Sequence, residues 1–245
     1  RRRKNMNTAL IFAGGTGKRM GTAGRPKQFL ELHGKPIIIH TLEHFDRHAG
    51  IDAIAVVCIA GWIDYLKDQL ERWRIRKVRW IVPGGETSQD STRAGLGILE
   101  ANCDPENTIV LIHAGVRPLI TEKLISDNIA AVKQYGNAIT AAPAIETIIT
   151  VDENEDVTEL IDRQSCRLAR APQSFVLADI IAMHQQAMDE GYDQMIDSAS
   201  LMIHYGKKLH LVPGPAENIK ITTPSDFYIF KAITEARENM QILGI

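Results

Sequence analysis

Asn7-Thr8-Ala9-Leu10-Ile11-Phe12-Ala13-Gly14-Gly15-Thr16-Gly17-Lys18-Arg19-Met20 carries the pattern from which the rest of the chain is read. A short apolar run, of strand length, gives way at Ala13 to a glycine-rich turn bearing two cations, and Arg25-Pro26-Lys27-Gln28 follows closely. Glycines at the C-terminal end of a strand let the backbone pass near a phosphate and point N–H donors at it, while Lys and Arg offset its charge. The pattern suits a triphosphate cradle. A glycine turn alone is shared by several nucleotide-binding classes, so the spacing decides. Arg19 stands where the Walker spacing needs Ser or Thr, and the dinucleotide spacing Gly-x-Gly-x-x-Gly is absent from this turn, which argues against a P-loop and against an NAD-dependent dehydrogenase.

Outward from this turn, apolar β-branched runs alternate with helical patterns. Strands are expected near 7–12, 53–59, 77–82, 108–113, 137–142 and 208–212, and helices near 36–47, 62–73, 88–101, 121–134, 176–189, 197–205 and 224–237. Strand and helix in alternation predict an α/β fold of Rossmann-like type around a mainly parallel sheet. Pro36 and Pro224 suit first helical turns, and Gly136, Gly191 and Gly206 suit helix ends. One stretch breaks the rhythm. From Glu146 to Gln164 two apolar runs flank the acidic turn Asp152-Glu153-Asn154-Glu155-Asp156, which predicts an inserted β-hairpin arm over 146–164. A hairpin this small owns no core and must pack on something; a second copy of the chain is its expected partner, and a flap folded onto its own domain is the alternative.

With 245 residues, 44% of them hydrophobic, the chain is long enough for one α/β core and short for two, so 6–245 is read as a single domain. Arg1-Arg2-Arg3-Lys4-Asn5 precedes Met6, and 1–5 is expected to be a tail or a remnant of cloning. The formal charge is −2 with cations scattered along the chain, so no nucleic-acid partner is expected. Cys58, Cys103 and Cys166 are odd in number and widely spaced, which suggests neither disulfides nor a metal knuckle and fits a reducing, cytoplasmic setting. No apolar run approaches the roughly 20 residues of a membrane span.

Gly14-Gly15-Thr16-Gly17-Lys18-Arg19-Met20 with Pro26-Lys27-Gln28 resembles the signature of the sugar nucleotidyltransferases, and Pro-Lys-Gln points to their cytidylyltransferase branch. The resemblance runs from Met6 to about Ala232. It implies a nucleotidyltransferase domain in which Ala13, Gly14, Gly15 and Gly17 meet CTP while Arg19 and Lys27 act as catalytic cations on the triphosphate. Pro83-Gly84-Gly85-Glu86-Thr87-Ser88-Gln89-Asp90-Ser91 is similar to the segment that reads cytosine and ribose, with Gly85, Glu86 and Ser91 at matching places. Taken alone, that segment would be a strand-to-helix turn with a capping serine. In Leu111-Ile112-His113-Ala114-Gly115-Val116-Arg117-Pro118 the resemblance assigns Ala114, Gly115 and Arg117 to the CTP site, and His113 is read as a structural strand-end histidine.

At Ala114 the chain departs from the pattern. The resemblance implies an aspartate there to hold Mg²⁺ on the phosphates, with Gly115 leaving room for the ion, so the enzyme is expected to be impaired as it stands. Glu217 is a weaker metal candidate, and Lys220, in Glu217-Asn218-Ile219-Lys220, matches the family's third catalytic cation. Arg163 matches an arm arginine that reaches the acceptor phosphate from a second subunit; Arg167 and Arg170 could assist it, though each reads more readily as a surface charge. Two families share this frame, the methylerythritol-phosphate and the ribitol-5-phosphate cytidylyltransferases. Ala169-Arg170-Ala171-Pro172-Gln173-Ser174-Phe175 resembles the second, with Ala171 in the acceptor site where the first carries Thr. The expected reaction is therefore CMP transfer from CTP to D-ribitol 5-phosphate, giving CDP-ribitol for teichoic acid or capsule polymers. Its rivals are transfer to 2-C-methyl-D-erythritol 4-phosphate and, given Ala114, CTP binding without catalysis.

Overall fold

The computed structural model describes residues 6–15, 24–192 and 195–243. Along the chain come β1 (Asn7–Ala13), the two-residue strands β2 (Glu31–Leu32) and β3 (Lys35–Pro36), α1 (Ile37–Arg47), β4 (Ala53–Cys58), α2 (Ile63–Arg72), β5 (Val78–Pro83), α3 (Ser88–Asn102), β6 (Ile109–Ala114) and α4 (Glu122–Tyr135). They are followed by β7 (Asn137–Pro143), β8 (Ile148–Val151), β9 (Val157–Ile161), β10 (Arg167–Val176), α5 (Leu177–Asp189), α6 (Ser198–His204), β11 (Leu211–Pro213) and α7 (Pro224–Leu243).

Seven strands form one sheet in the order β11-β7-β10-β6-β1-β4-β5. β1 runs parallel to both neighbours, β4 and β6, so its C-terminal end lies centrally, where an α/β sheet places its ligands. Alternation along β1 sends Ala9, Ile11 and Ala13 into one core and Leu10 into the other. The first core is closed by α1, α2 and α4 through Leu42, Phe45, Leu66 and Ile125, and the second by α3, α5 and α6 through Leu99, Ile180 and Leu201. Gly95 lets α3 approach closely, since a Cβ there would lie 2.6 Å from Leu10 Cδ1 and 2.9 Å from Val57 Cγ2. A third cluster sets Phe230 of α7 against Ile37, Val116 and Ile221, tying the C-terminal helix to the segment that follows β6.

The expected helices are all present; α7 runs further, to Leu243, and the strand expected at 208–212 begins at Leu211. β10 was not anticipated. It lies antiparallel between β6 and β7, and Pro172 with two arginines masks its strand character. The ladder shifts register between Ala169 and Gln173, which is where a proline can enter a sheet without removing a needed donor. Pro143 of β7 pairs with Arg167 of β10, so the chain between them is an outgrowth of that strand pair. There β8 and β9 form the expected hairpin as a separate two-stranded sheet. Among the described residues, no helix is long and apolar enough to cross a membrane.

Candidate active site

Three segments meet at the C-terminal ends of β1 and β6. After β1, Gln28 folds back: its buried amide Nε2 donates to the Ala13 carbonyl at 2.6 Å, and Phe29 behind it stacks on Trp62 at 4.9 Å. Arg25 anchors the same loop by donating to Glu31 at 2.6 Å and to the Tyr65 hydroxyl at 2.7 Å. The clip brings Lys27 to the glycine turn, where a Cβ on Gly15 would stand 3.6 Å from the Lys27 Cε. After β5, Thr87 and Asp90 form a capping box for α3, and Asp90 also pairs with Arg93. Hydrogen bonds from Thr87 and Arg93 hold the Asp90 carboxyl below its ordinary value. Gly85 must be glycine here, because a Cβ would fall 2.2 Å from that of Asp90. Its N–H donates to Ser91 Oγ at 3.1 Å, which leaves the serine proton free to donate elsewhere. After β11, the Ile221 N–H donates to the Val116 carbonyl at 2.9 Å and its side chain is buried, so the preceding Lys220 faces out over the sheet end.

Together these segments line a cavity of about 320 Å³ that gathers Ala13, Gly14, Gly15, Lys27, Gly85, Glu86, Ser91, Ala114 and Lys220. A second hollow of about 240 Å³ adjoins it and shares Phe12, Ser88, Ala114 and Lys220. Its further lining includes His113, Arg170, Ala171, Gln173, Asp197 and Arg117, which thus stands in this hollow and does not line the nucleotide cavity where it was expected. Larger hollows of about 430 and 730 Å³ lie near the opposite, N-terminal end of β1, around Asn7, away from the glycine turn and its cations.

A buried tripod holds the second hollow. Arg117 Nη1 donates to the Asn218 carbonyl at 2.7 Å, and Asn218 Nδ2 donates to the Ala171 carbonyl at 2.6 Å. His113 Nε2 faces the Arg117 carbonyl at 3.2 Å, and burial pushes its pKa down to about 3, so the ring is neutral. Burial, with the charge of Arg170, lowers Arg117 to about 10, so it is still cationic at neutral pH.

Not every expected residue reaches the two cavities. Gly17 and Arg19 lie outside the described residues. Gly115 makes no room for an ion: a Cβ there would sit 3.1 Å from the Phe12 carbonyl oxygen and 3.2 Å from Ile38, so its bare face packs inward. Its N–H donates to the Phe12 carbonyl at 2.8 Å and its carbonyl accepts from Thr41 at 2.8 Å, so its backbone N–H is already engaged within the fold. Glu217 is exposed and lines neither cavity, because the turn through Ile219 directs it away. Arg163 lies on the exposed arm and donates to the Ile145 carbonyl at 2.9 Å, so within one chain it holds the arm's base. Position 114 offers a methyl, and among the described residues Glu86 is the only carboxylate lining the glycine-turn cavity and no three His, Cys, Asp or Glu side chains converge to hold Mg²⁺.

Gln28 and Asn218 position the site without having been singled out for it, and Arg170, expected chiefly as a surface charge, lines it. Gln28 and Asn218 adjoin the motif lysines, a signal that was available, whereas nothing around Arg170 distinguished it from a surface charge.

Comparison with known proteins agrees with this geometry. A profile of the family described as IspD, 2-C-methyl-D-erythritol 4-phosphate cytidylyltransferase, matches residues 7–236. A ribitol-5-phosphate cytidylyltransferase of Vibrio parahaemolyticus is 53% identical, covering 98% of this chain and 100% of the relative. A 2-C-methyl-D-erythritol 4-phosphate cytidylyltransferase of Syntrophus aciditrophicus is 37% identical, over 94% of this chain and 96% of its own length. Among solved structures, the 4-diphosphocytidyl-2C-methyl-D-erythritol synthase of Anaerococcus prevotii superimposes with a TM-score of 0.81 at 29% identity, covering 94% of this chain and 96% of that one.

Proposed function

We propose, from the premise that this chain belongs to the IspD, 2-C-methyl-D-erythritol 4-phosphate cytidylyltransferase family, that its acceptor is D-ribitol 5-phosphate. The reaction transfers CMP from CTP and yields CDP-ribitol and pyrophosphate. The observation that carries the reading is the pair of adjoining cavities joined at Lys220 and Ala114, one floored by glycines and Lys27, the other walled by arginines. The acceptor assignment is supported by the higher identity to the relative named for ribitol 5-phosphate than to the one named for methylerythritol phosphate.

The chemistry needs no protein nucleophile. An oxygen of the acceptor phosphate attacks the α-phosphorus of CTP, one P–O bond forms, the bond to the bridging oxygen breaks, and pyrophosphate departs in line. Two anions must approach, so catalysis consists of holding them and offsetting their charge. In this reading Lys27 and Lys220, which line the nucleotide cavity, do that, with Arg19 the third cation. Glu86 and Ser91 serve the nucleoside end, while Gly14 and Gly15 allow the phosphates close to the backbone. Magnesium accompanies CTP in such reactions, and the lack of a carboxylate at position 114 leaves its placement to the nucleotide. We read the enzyme as slowed for this reason. We further place the reaction in the cytoplasm, with its product drawn into teichoic acid or capsule polymers, and pair two chains through the arm.

Pyrophosphate release with CTP and either ribitol 5-phosphate or 2-C-methyl-D-erythritol 4-phosphate tests the assignment. A kcat/KM higher for ribitol 5-phosphate is expected. The opposite preference overturns the acceptor, and CTP binding without release of pyrophosphate from either overturns catalysis.

A further inference from the structure

Arg170 is not the surface charge that its sequence context suggests. It is half-buried, it lines the arginine-walled cavity, and its Nε is shielded from solvent without a hydrogen-bond partner among the described residues. Ala169, Arg170 and Ala171 all line that cavity, which a regular pleat would forbid and the register shift at Pro172 permits. The shift therefore turns Arg170 inward beside Arg117, which is only 9% exposed.

Two guanidinium groups, Arg117 and Arg170, line the hollow with one carboxylate, Asp197. The Asp197 oxygens already accept from the Ser200 N–H at 2.8 Å and from Gln173 Nε2 at 2.7 Å, and among the described residues no ion pair joins an acid to either arginine. A buried guanidinium beside a second, half-buried one is unfavourable unless an anion lies between them. Arginine is also the side chain whose planar fork best matches a phosphate.

Resting on the cytidylyltransferase reading, we infer that Arg170 and Arg117 form the seat of the acceptor's phosphomonoester, supplied by the same chain that holds CTP. The acceptor phosphate is thus gripped in cis. The arm arginine of a second copy adds to this seat and does not make it.

Calorimetric titration of the protein with ribitol 5-phosphate, with 2-C-methyl-D-erythritol 4-phosphate and with CTP tests the seat without relying on turnover. Arg170→Leu is expected to weaken the preferred acceptor by about 10- to 100-fold while CTP affinity stays within about twofold. Arg170→Lys, which keeps the charge, is expected to fall between, and it carries the test if the leucine variant does not fold. An acceptor affinity unchanged in both variants overturns the seat, as does equal weakening of acceptor and CTP. The acceptor reading fails separately: preference for methylerythritol phosphate with a tenfold loss in Arg170→Leu supports the seat and removes ribitol. Tight ribitol 5-phosphate binding that ignores Arg170 does the reverse.

Discussion

Lys27 owes its position to its neighbour. Gln28 is 1% exposed and tied to the Ala13 carbonyl, so Lys27 is delivered to the glycine turn by a buried side chain. A cation held this way is worth most when charge moves onto the departing pyrophosphate. Lys27→Ala is expected to lower kcat by about 100-fold or more while CTP binding changes little; parallel losses in rate and in CTP affinity would reduce Lys27 to a ground-state ligand. Ala114 poses the opposite case. It ends β6 opposite Phe12 of β1, at the junction of the two cavities, where a longer side chain would enter the space shared by both substrates. Ala114→Asp is expected to raise Mg²⁺-dependent pyrophosphate release strongly, measured across a metal titration. If the alanine form already turns over at about 10 s⁻¹ and the aspartate adds nothing, position 114 is not the metal slot.

Among the elements, the arm is the one whose surface is least explained by a single chain. Ile149 and Leu160 face each other across β8 and β9 and are 47% and 69% exposed, with Val151 and Val157 also open to solvent. A two-stranded ribbon with such a face is marginal unless covered. Replacing Ile149 and Leu160 by Lys together is expected to shift the protein from dimer to monomer in sedimentation, with its thermal transition retained. A wild type that sediments as a monomer at tens of micromolar would remove the arm from this role. In a dimer Arg163 would meet the neighbouring acceptor site, so Arg163→Ala should raise the acceptor KM before that of CTP. A raised CTP KM with the acceptor KM unchanged would count against that placement.

For the molecule as a whole, acid is the vulnerable direction. Burial pushes the pKa of His113 to about 3 and those of His40 and His184 to about 4, each below the free value of 6.5. The folded chain therefore refuses protons that the unfolded chain accepts. Stability is full above about pH 6.5 and declines as the pH falls toward 4, by up to about 1.4 kcal/mol per pH unit for each histidine. Urea midpoints at pH 7.5 and pH 5 should differ accordingly, lower in acid; equal midpoints would mean that these rings find partners or water on protonation.

Local patterning determined most of the architecture. Strand and helix periods, the glycine turn and the hairpin flanking Asp152–Asp156 follow from residues near one another in the chain, and they set the α/β class and the place of the nucleotide pocket. The resemblance of Gly14–Met20 and Pro26–Gln28 to known signatures carried the reaction type. Tertiary structure alone decided the rest. β10 is a strand because β6 and β7 flank it, not because Arg-Ala-Pro-Gln reads as one. Gly115 faces Phe12 and Ile38 and Glu217 turns outward because packing against distant segments orients them. Arg170 turns inward for the same kind of reason, since a register shift in a strand pair formed by residues far apart in the chain fixes its direction, and no spacing along the sequence encodes that.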